Sequence, residues 1–234
     1  ARDDEKTTLR SYGGAAIVGI AHRARVPEGA AAKALGERGF FGDLVAQVEV
    51  GYASGDADPY DGTQKRFVFD GNHRIGLVLF DEVLRFQTAR ASTAARDPLL
   101  SNGERPTPGS DRIPTNGGVF GATYVNPTFV YRPHPSFDVK AGMLLAQSTA
   151  DVVDPYRTAT SGSYVNARGG NPRAKDYGLE LDAGVEWRKG LSFDMTLALG
   201  MQAGILFPGD ALADAMGARL KTPWVTVTRA GLYF

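Results

Sequence analysis

Acidic side chains stand at alternate positions in several segments of this chain. In YGLELDAGVEWR, Glu180, Asp182 and Glu186 alternate with apolar residues, so on a β-strand they share one face. Two carboxylates that flank a substrate can hydrolyse a glycosidic bond, but this chemistry needs a second wall and a cleft, which one strand does not provide. On the inner face of a barrel the same carboxylates would line a polar passage.

The predicted lining of such a passage is a set of charged residues that share this alternation. They are Asp43, Glu49, Lys140, Glu180, Asp182, Glu186, Arg188, Asp194 and Arg229. With Arg132 and Asp138 included, the same face carries seven acids and four bases, which cannot all form pairs. Because an unpaired carboxylate is very costly in a dry interior, these charges favour a wide, water-filled lumen with a mild preference for cations.

A second group of carboxylates lies in the run GDADPYDG. Asp56, Asp58 and Asp61 supply oxygen ligands at short spacing and are followed by a glycine, an arrangement similar to calcium-binding loops. The spacing is not that of an EF-hand, and no bidentate glutamate follows at the required position. The two interpretations are a weak calcium site and a solvated acidic turn, and no other cofactor is predicted.

The composition excludes several other functions. The chain has no cysteine, which excludes disulfides, thiolate zinc sites and a cysteine nucleophile. Its three histidines fall in predicted loops or at strand ends and form no Ser-His-Asp arrangement. The 26 basic and 26 acidic residues cancel, whereas nucleic-acid binding needs a basic face. We therefore predict that the protein is not an enzyme and has no nucleic-acid partner.

The elements that position the charges are long strands with apolar residues at every second position. In LSFDMTLALGMQAGILF, all nine odd positions from Leu191 to Phe207 are apolar, a period of two that a helix does not produce. The turn signal Lys189-Gly190 joins this segment to the preceding one. Similar alternation, weaker in two cases, predicts the full set of strands at 8–21, 40–52, 119–132, 137–147, 177–187, 191–207 and 224–234.

Loop lengths and composition indicate how these strands are used. Long polar connections lie at 53–66, 91–117, 148–173 and 208–221, while the other turns near the C-terminus are short, as in transmembrane barrels. No run approaches the roughly 20 apolar residues of a membrane helix, and 29 of the 234 residues are glycine. The predicted fold is all-β, a transmembrane antiparallel β-barrel of the outer-membrane type, with residues 1–234 forming a single barrel domain or barrel portion.

The strand count favours part of a larger barrel. Seven strands with a periplasmic C-terminus would place the start of the chain outside the cell, whereas single-chain bacterial barrels have an even number of strands. The chain is thus expected to hold the C-terminal seven or eight strands of a larger barrel. The alternative is a complete eight-stranded barrel. Segment 74–90 alternates poorly and is either a bulged strand or a short amphipathic helix packed on a loop or in the lumen.

Two patches of the chain resemble a known family. The run GYASGDADPYDG at 51–62 is followed by Phe67, His73 and Gly76, and FPGDALADAMG at 207–217 precedes a last strand that ends on Phe234. Together they resemble the alginate-export family of bacterial outer-membrane β-barrels. The resemblance implies a barrel of around eighteen strands. The pores of that family are markedly basic, and the predicted lumen faces here are not.

These observations predict a channel in the bacterial outer membrane for polar solutes or an exported polysaccharide. Its expected partners are membrane lipid and lipopolysaccharide, the barrel assembly machinery acting through the C-terminal strand, and other envelope proteins. Two alternatives remain open from the sequence. One is a structural barrel that anchors or scaffolds an envelope complex, and the other is a barrel-embedded hydrolase.

Overall fold

Seven long strands form one antiparallel sheet in the computed structural model, which describes residues 8–22, 42–58, 63–96, 114–134, 136–191 and 195–234. The sheet order is β2-β3-β5-β6-β7-β8-β9, and a second, two-stranded sheet pairs β1 with β4. The strands are β1 (Thr8–Leu9), β2 (Gly13–His22), β3 (Asp43–Ala53), β4 (Thr63–Gln64), β5 (Ala122–His134), β6 (Phe137–Ser148), β7 (Asp176–Gly190), β8 (Thr196–Pro208) and β9 (Trp224–Tyr233). This architecture confirms the predicted all-β class and its antiparallel strands.

The sheet has two open edges. Among the described residues, β2 and β9 each pair with one neighbour only, so the sheet does not close on itself. The register Gly13↔Ala53 places the start of β2 where β3 ends, and Ile205↔Trp224 places the start of β9 near the end of β8. The two edge strands therefore run in the same direction, and direct closure between them would need parallel pairing.

The connections lie at two ends of the strands. The short connections after β5 and β7 lie at one end, here called the turn end, and the longer connection 23–42 joins β2 to β3 at the same end. The connections 54–121, 149–175 and 209–223 lie at the other, here called the loop end. They contain the four predicted long loops, together with α1 (Arg85–Arg96) and α2 (Pro155–Ser161). The strand predicted at 191–207 instead begins at Thr196.

The two faces of the sheet differ in polarity and in exposure. Register pairs such as Trp187↔Leu199 and Val185↔Met201 put the alternating apolar residues together on one face. Leu199 is 43 % exposed and Met201 49 % exposed, so this apolar face is open. The opposite, polar face holds the alternating charged residues and is largely covered near the loop end.

The hydrophobic core lies on the polar face, where a helical segment packs against the sheet. A π-helical turn, Leu79–Leu84, leads directly into α1, so segment 74–90 is mainly helical rather than a bulged strand. Leu79, Phe80 and Leu84 of this turn are buried with Leu144 and Leu206 of the strands. Within the part of the chain that the structure describes, no helix is both long enough and apolar enough to cross a membrane.

Candidate functional site

The polar face of the sheet brings most of the predicted lining residues together. The register pairs Asp138 with Glu186, and Glu186 lies opposite Gly200, whose other partner is Arg229. Eight of the nine predicted residues lie on this face: Asp43, Glu49, Lys140, Glu180, Asp182, Glu186, Arg188 and Arg229. The ninth, Asp194, lies outside the described residues. Strand alternation was therefore enough to select side chains that share a surface.

At the turn end, six of these polar-face side chains form a network that we call the ionic ladder: Asp43, Arg132, Asp138, Arg188, Glu186 and Lys140. Arg132 donates from Nε to Asp138 Oδ1 at 2.6 Å, and Arg188 donates to the other oxygen of the same carboxylate. Arg188 also donates from Nε to Glu186 Oε1 at 2.9 Å, and Lys140 Nζ lies 3.4 Å from Glu186 Oε2.

The ionic ladder changes the charge balance expected from the sequence. It contains three acids and three bases, so most of its carboxylates have a cationic neighbour. Asp138 lies at its centre with a side chain only 3 % exposed, while that of Arg132 is 40 % exposed. A buried carboxylate between two guanidinium groups avoids the desolvation cost that an unpaired charge would bear. The expected excess of free acids is therefore smaller than the count of residues indicates.

Nearer the loop end, Glu180 is buried, whereas the sequence predicted that it would face a water-filled lumen. Its side chain is 0 % exposed. Oε1 accepts hydrogen bonds from the backbone N–H groups of Leu77 and Val78 at 2.5 and 2.7 Å, and Oε2 accepts one from Leu79 at 2.7 Å. These N–H groups open the helical segment, where unpaired backbone donors favour a negative charge. Glu180 thus holds the covering segment, residues 74–84, against β7 instead of facing open water.

Two glycines make this close approach feasible. Gly76 has φ +69°, and a Cβ there would lie 2.6 Å from Glu180 Oε1. A Cβ on Gly204 of β8 would lie 2.5 Å from Asp182 Oδ1 and 3.0 Å from Val78 Cγ2. Both positions need glycine because the covering segment contacts the sheet with no space for a side chain between them.

A hydrogen-bonded group that the sequence did not indicate lies beside the covering segment. Tyr124 donates its hydroxyl to Glu49 Oε1 at 2.6 Å. His73 Nε2 lies 2.9 Å from the Tyr124 hydroxyl and 3.0 Å from Glu49 Oε1, and its ring stacks on Phe69. The group joins β3, β5 and the loop end. Alternation placed Glu49 and Tyr124 on one face, but no sequence signal relates His73 to them.

In the acidic turn at the loop end, the carboxylate of Asp56 accepts hydrogen bonds from nearby backbone groups. Asp56 accepts backbone N–H bonds from Asp58 at 3.1 Å and from Lys65 at 2.9 Å. Asp61, the third predicted calcium ligand, lies outside the described residues. Among those that are described, no group of three or more acidic or histidine side chains is close enough together to hold a metal ion. The calcium site therefore stays a prediction from the sequence.

The loop end contains an ion pair that should respond to acid. Lys175 Nζ lies 2.9 Å from Asp151 Oδ1, and Tyr164 donates to Oδ2 at 2.9 Å. The hydrogen bond from Lys175, aided by that from Tyr164, holds the pKa of Asp151 below its ordinary value. A lowered folded-state pKa stabilises the fold above the unfolded pKa of about 3.9, and this stabilisation is lost as pH falls through the folded value.

We therefore expect Asp151→Asn to loosen the connection 149–175 at about pH 5, where Asp151 is ionised, and to lose this effect as pH falls through the lowered folded-state pKa of Asp151, below which both proteins lack the charge. The difference should be below about 1 kcal/mol because the pair is partly exposed. The measurement is the ratio of pepsin cleavage rates for variant and wild type, in which the protease's own pH dependence cancels. A ratio that stays constant with pH would contradict the assigned role of Asp151.

Comparison with known proteins does not assign the chain to a family. No protein-family model matches the chain, and no curated protein matches it. The resemblance to the alginate-export family therefore stays a prediction.

Proposed function

We propose that this protein forms part of the wall of a bacterial outer-membrane channel that passes polar solutes or an exported polysaccharide. The observation that carries the proposal is the inverted polarity of the seven-stranded sheet. Its apolar face is exposed, with residues such as Val48 of β3, Leu181 of β7 and Leu199 of β8 open. Its polar face carries the ionic ladder and is partly covered. Exposure of so large an apolar surface is unfavourable in water but matches the hydrocarbon of a bilayer.

Aromatic residues on the apolar face support a membrane location. Near the turn end this face holds Tyr131, Phe137 and Trp187, which the register places on adjacent strands. Near the loop end it holds Tyr12, Tyr52, Phe207 and Trp224, and the rings of Tyr12 and Tyr52 stack at 5.6 Å. Between the two groups the side chains are mainly aliphatic, with Phe129 as an aromatic exception. Two aromatic girdles around an apolar band are typical of outer-membrane barrels, whose aromatic rings lie at the membrane–water interfaces.

Strand length and direction support a barrel larger than the seven strands alone. The strands of the sheet have 10–15 residues, and about 9–11 tilted residues cross a bilayer. Since β2 and β9 run in the same direction, antiparallel closure requires an odd number of additional strands between them. The resulting barrel would have an even number, as single-chain bacterial barrels do. We propose that lipid and lipopolysaccharide surround it and that the barrel assembly machinery binds its C-terminal strand.

The expected transport property is passage of ions with weak charge selectivity. Glu49, Asp138 and Glu180 are buried, so few acids remain accessible on the described polar face. Arg229 is exposed there, and the bases of the ionic ladder are exposed to about the same extent as its outer acids. We therefore expect, in place of the cation preference predicted from the sequence, at most a weak preference for anions.

The test is conductance of the full-length protein in planar lipid bilayers, with the reversal potential measured in a salt gradient. Arg229→Gln should shift the reversal potential toward cations without changing the amount of folded protein. Lys221→Gln, an exposed change in the connection 209–223, serves as the control for loss of one positive charge. A folded protein that shows no conductance steps would overturn the channel and favour the structural scaffold.

A further inference from the structure

We infer that the covering segment is a fixed constriction of the proposed channel and that Glu180 is the residue that positions it. This inference rests on the proposed function, because a constriction has meaning only if solutes pass. It assigns to Glu180 a positioning role, whereas the sequence predicted a solvated carboxylate that contacts solutes. The argument depends on how the segment is attached, how it is packed, and where it lies relative to the open part of the polar face.

The attachment joins one strand to the start of one helical segment. Glu180 is completely buried, and its two oxygens accept three backbone hydrogen bonds from Leu77, Val78 and Leu79. A carboxylate with several N–H donors is stable in this environment, whereas loss of the carboxylate would leave buried backbone donors unpaired. Glu180 therefore fixes the height and the direction at which the segment leaves the sheet.

Packing strengthens the attachment that Glu180 makes. Leu79, Phe80 and Leu84 are almost fully buried, together with Leu144 and Leu206 on the strands. Movement of the segment away from the sheet would expose these side chains and break all three bonds to Glu180. Loss of burial is strongly unfavourable for each large apolar side chain. The segment therefore behaves as a rigid part of the wall and not as a gate.

The position of the segment would narrow the proposed channel for solutes. A cavity of about 220 Å³ lies next to it on the polar face, lined by Arg74 and Leu77 of the segment and by Asn126, Lys140, Asp182 and Gln202 of the strands. Because a helix with its side chains is about 10–12 Å wide, a segment that projects from one wall removes much of the cross-section of a channel. The remaining opening would run past these polar residues.

The first test compares Glu180→Gln and Glu180→Ala with Asp210→Asn in the full-length protein. Release of the segment should raise single-channel conductance about twofold, given the width of a helix, and admit larger polyethylene glycols. Asp210→Asn removes the same charge from an exposed position in the connection 209–223, outside the covering segment, and should leave conductance and size limit unchanged. Glu180 variants that fold and conduct like the wild type would overturn the inference.

A second test does not depend on whether the Glu180 variants fold. The chain has no cysteine, so a single introduced thiol can be followed in the folded, conducting protein. Leu84→Cys places a thiol at a buried position of the covering segment, and Phe86→Cys places one two residues later at an exposed position. A maleimide should label Phe86→Cys readily and should leave Leu84→Cys unlabelled until the protein is unfolded, because the segment stays packed on the sheet.

The possible outcomes separate the inference from the proposed function. Ready labelling of Leu84→Cys in a folded, conducting protein would show that the segment leaves the sheet, and this result overturns the fixed constriction. A folded wild type without conductance overturns the channel, and the constriction with it. A conducting wild type whose Glu180 variants keep the original size limit overturns the constriction alone.

Discussion

Replacement of Leu199 with arginine is expected to destabilise the folded barrel by about 2–4 kcal/mol, the cost of an arginine on the lipid face near the bilayer midplane. Leu199 lies in β8, opposite Trp187 on one side and Ala230 on the other, and it is exposed on the apolar face. In lipid, the guanidinium would replace a leucine where no water can solvate it. The measurement is urea unfolding in phospholipid vesicles, followed by the mobility difference between folded and unfolded barrel on gels.

Gln202→Arg is the matched control for Leu199→Arg. Gln202 lies on the same strand, three residues away, and its side chain points to the polar face beside Asp182 and Lys140. An arginine there stays in a polar, water-accessible environment, so the expected loss of stability is below about 1 kcal/mol. Equal losses for the two variants would contradict the assignment of the apolar face to lipid and, with it, the central observation behind the proposed function.

Replacement of Asp138 with asparagine is expected to destabilise the protein by about 2 kcal/mol, less than the full cost of breaking a buried pair because its partners are partly exposed. Asp138 bonds Arg132 and Arg188 at once while its own side chain is 3 % exposed. In the variant, the guanidinium groups of Arg132 and Arg188 lose the negative charge that neutralises both of them. We also expect the reversal potential to move toward anions, since the ionic ladder gains a net positive charge.

Asp43→Asn is the control for this change in the same network. Asp43 is 40 % exposed and lies 4.0 Å from Arg132, so it contributes little to stability through that contact. The variant removes the same charge from the same end of the sheet, the turn end. If unfolding in urea affects Asp43→Asn and Asp138→Asn equally, burial of Asp138 is not what makes the ionic ladder stable.

The sequence alone was enough to determine the strands and the faces of the sheet. Apolar residues at every second position, as in 191–207, are sufficient because a strand turns successive side chains to opposite faces. The same alternation placed Glu186 and Arg229 on one surface, two strands apart. Composition also bounded the chemistry, since a chain without cysteine cannot form disulfides or thiolate metal sites. Alternation is a property of one strand and composition is a sum over the chain, so neither depends on contacts between distant residues.

The tertiary structure alone decided which charges are buried and what covers them. Glu180 and Glu186 are equivalent by alternation, yet Glu180 binds the backbone of residues 77–79, about 100 positions earlier in the chain, and Glu186 remains partly exposed in the ionic ladder. Segment 74–90 was ambiguous for the same reason. The spacing of its apolar residues depends on contacts with both the sheet and the loop end. A short stretch of sequence around the segment does not include the residues that make these contacts. Burial and pairing depend on residues brought together across the whole chain, and a periodic pattern within one strand contains no information about them.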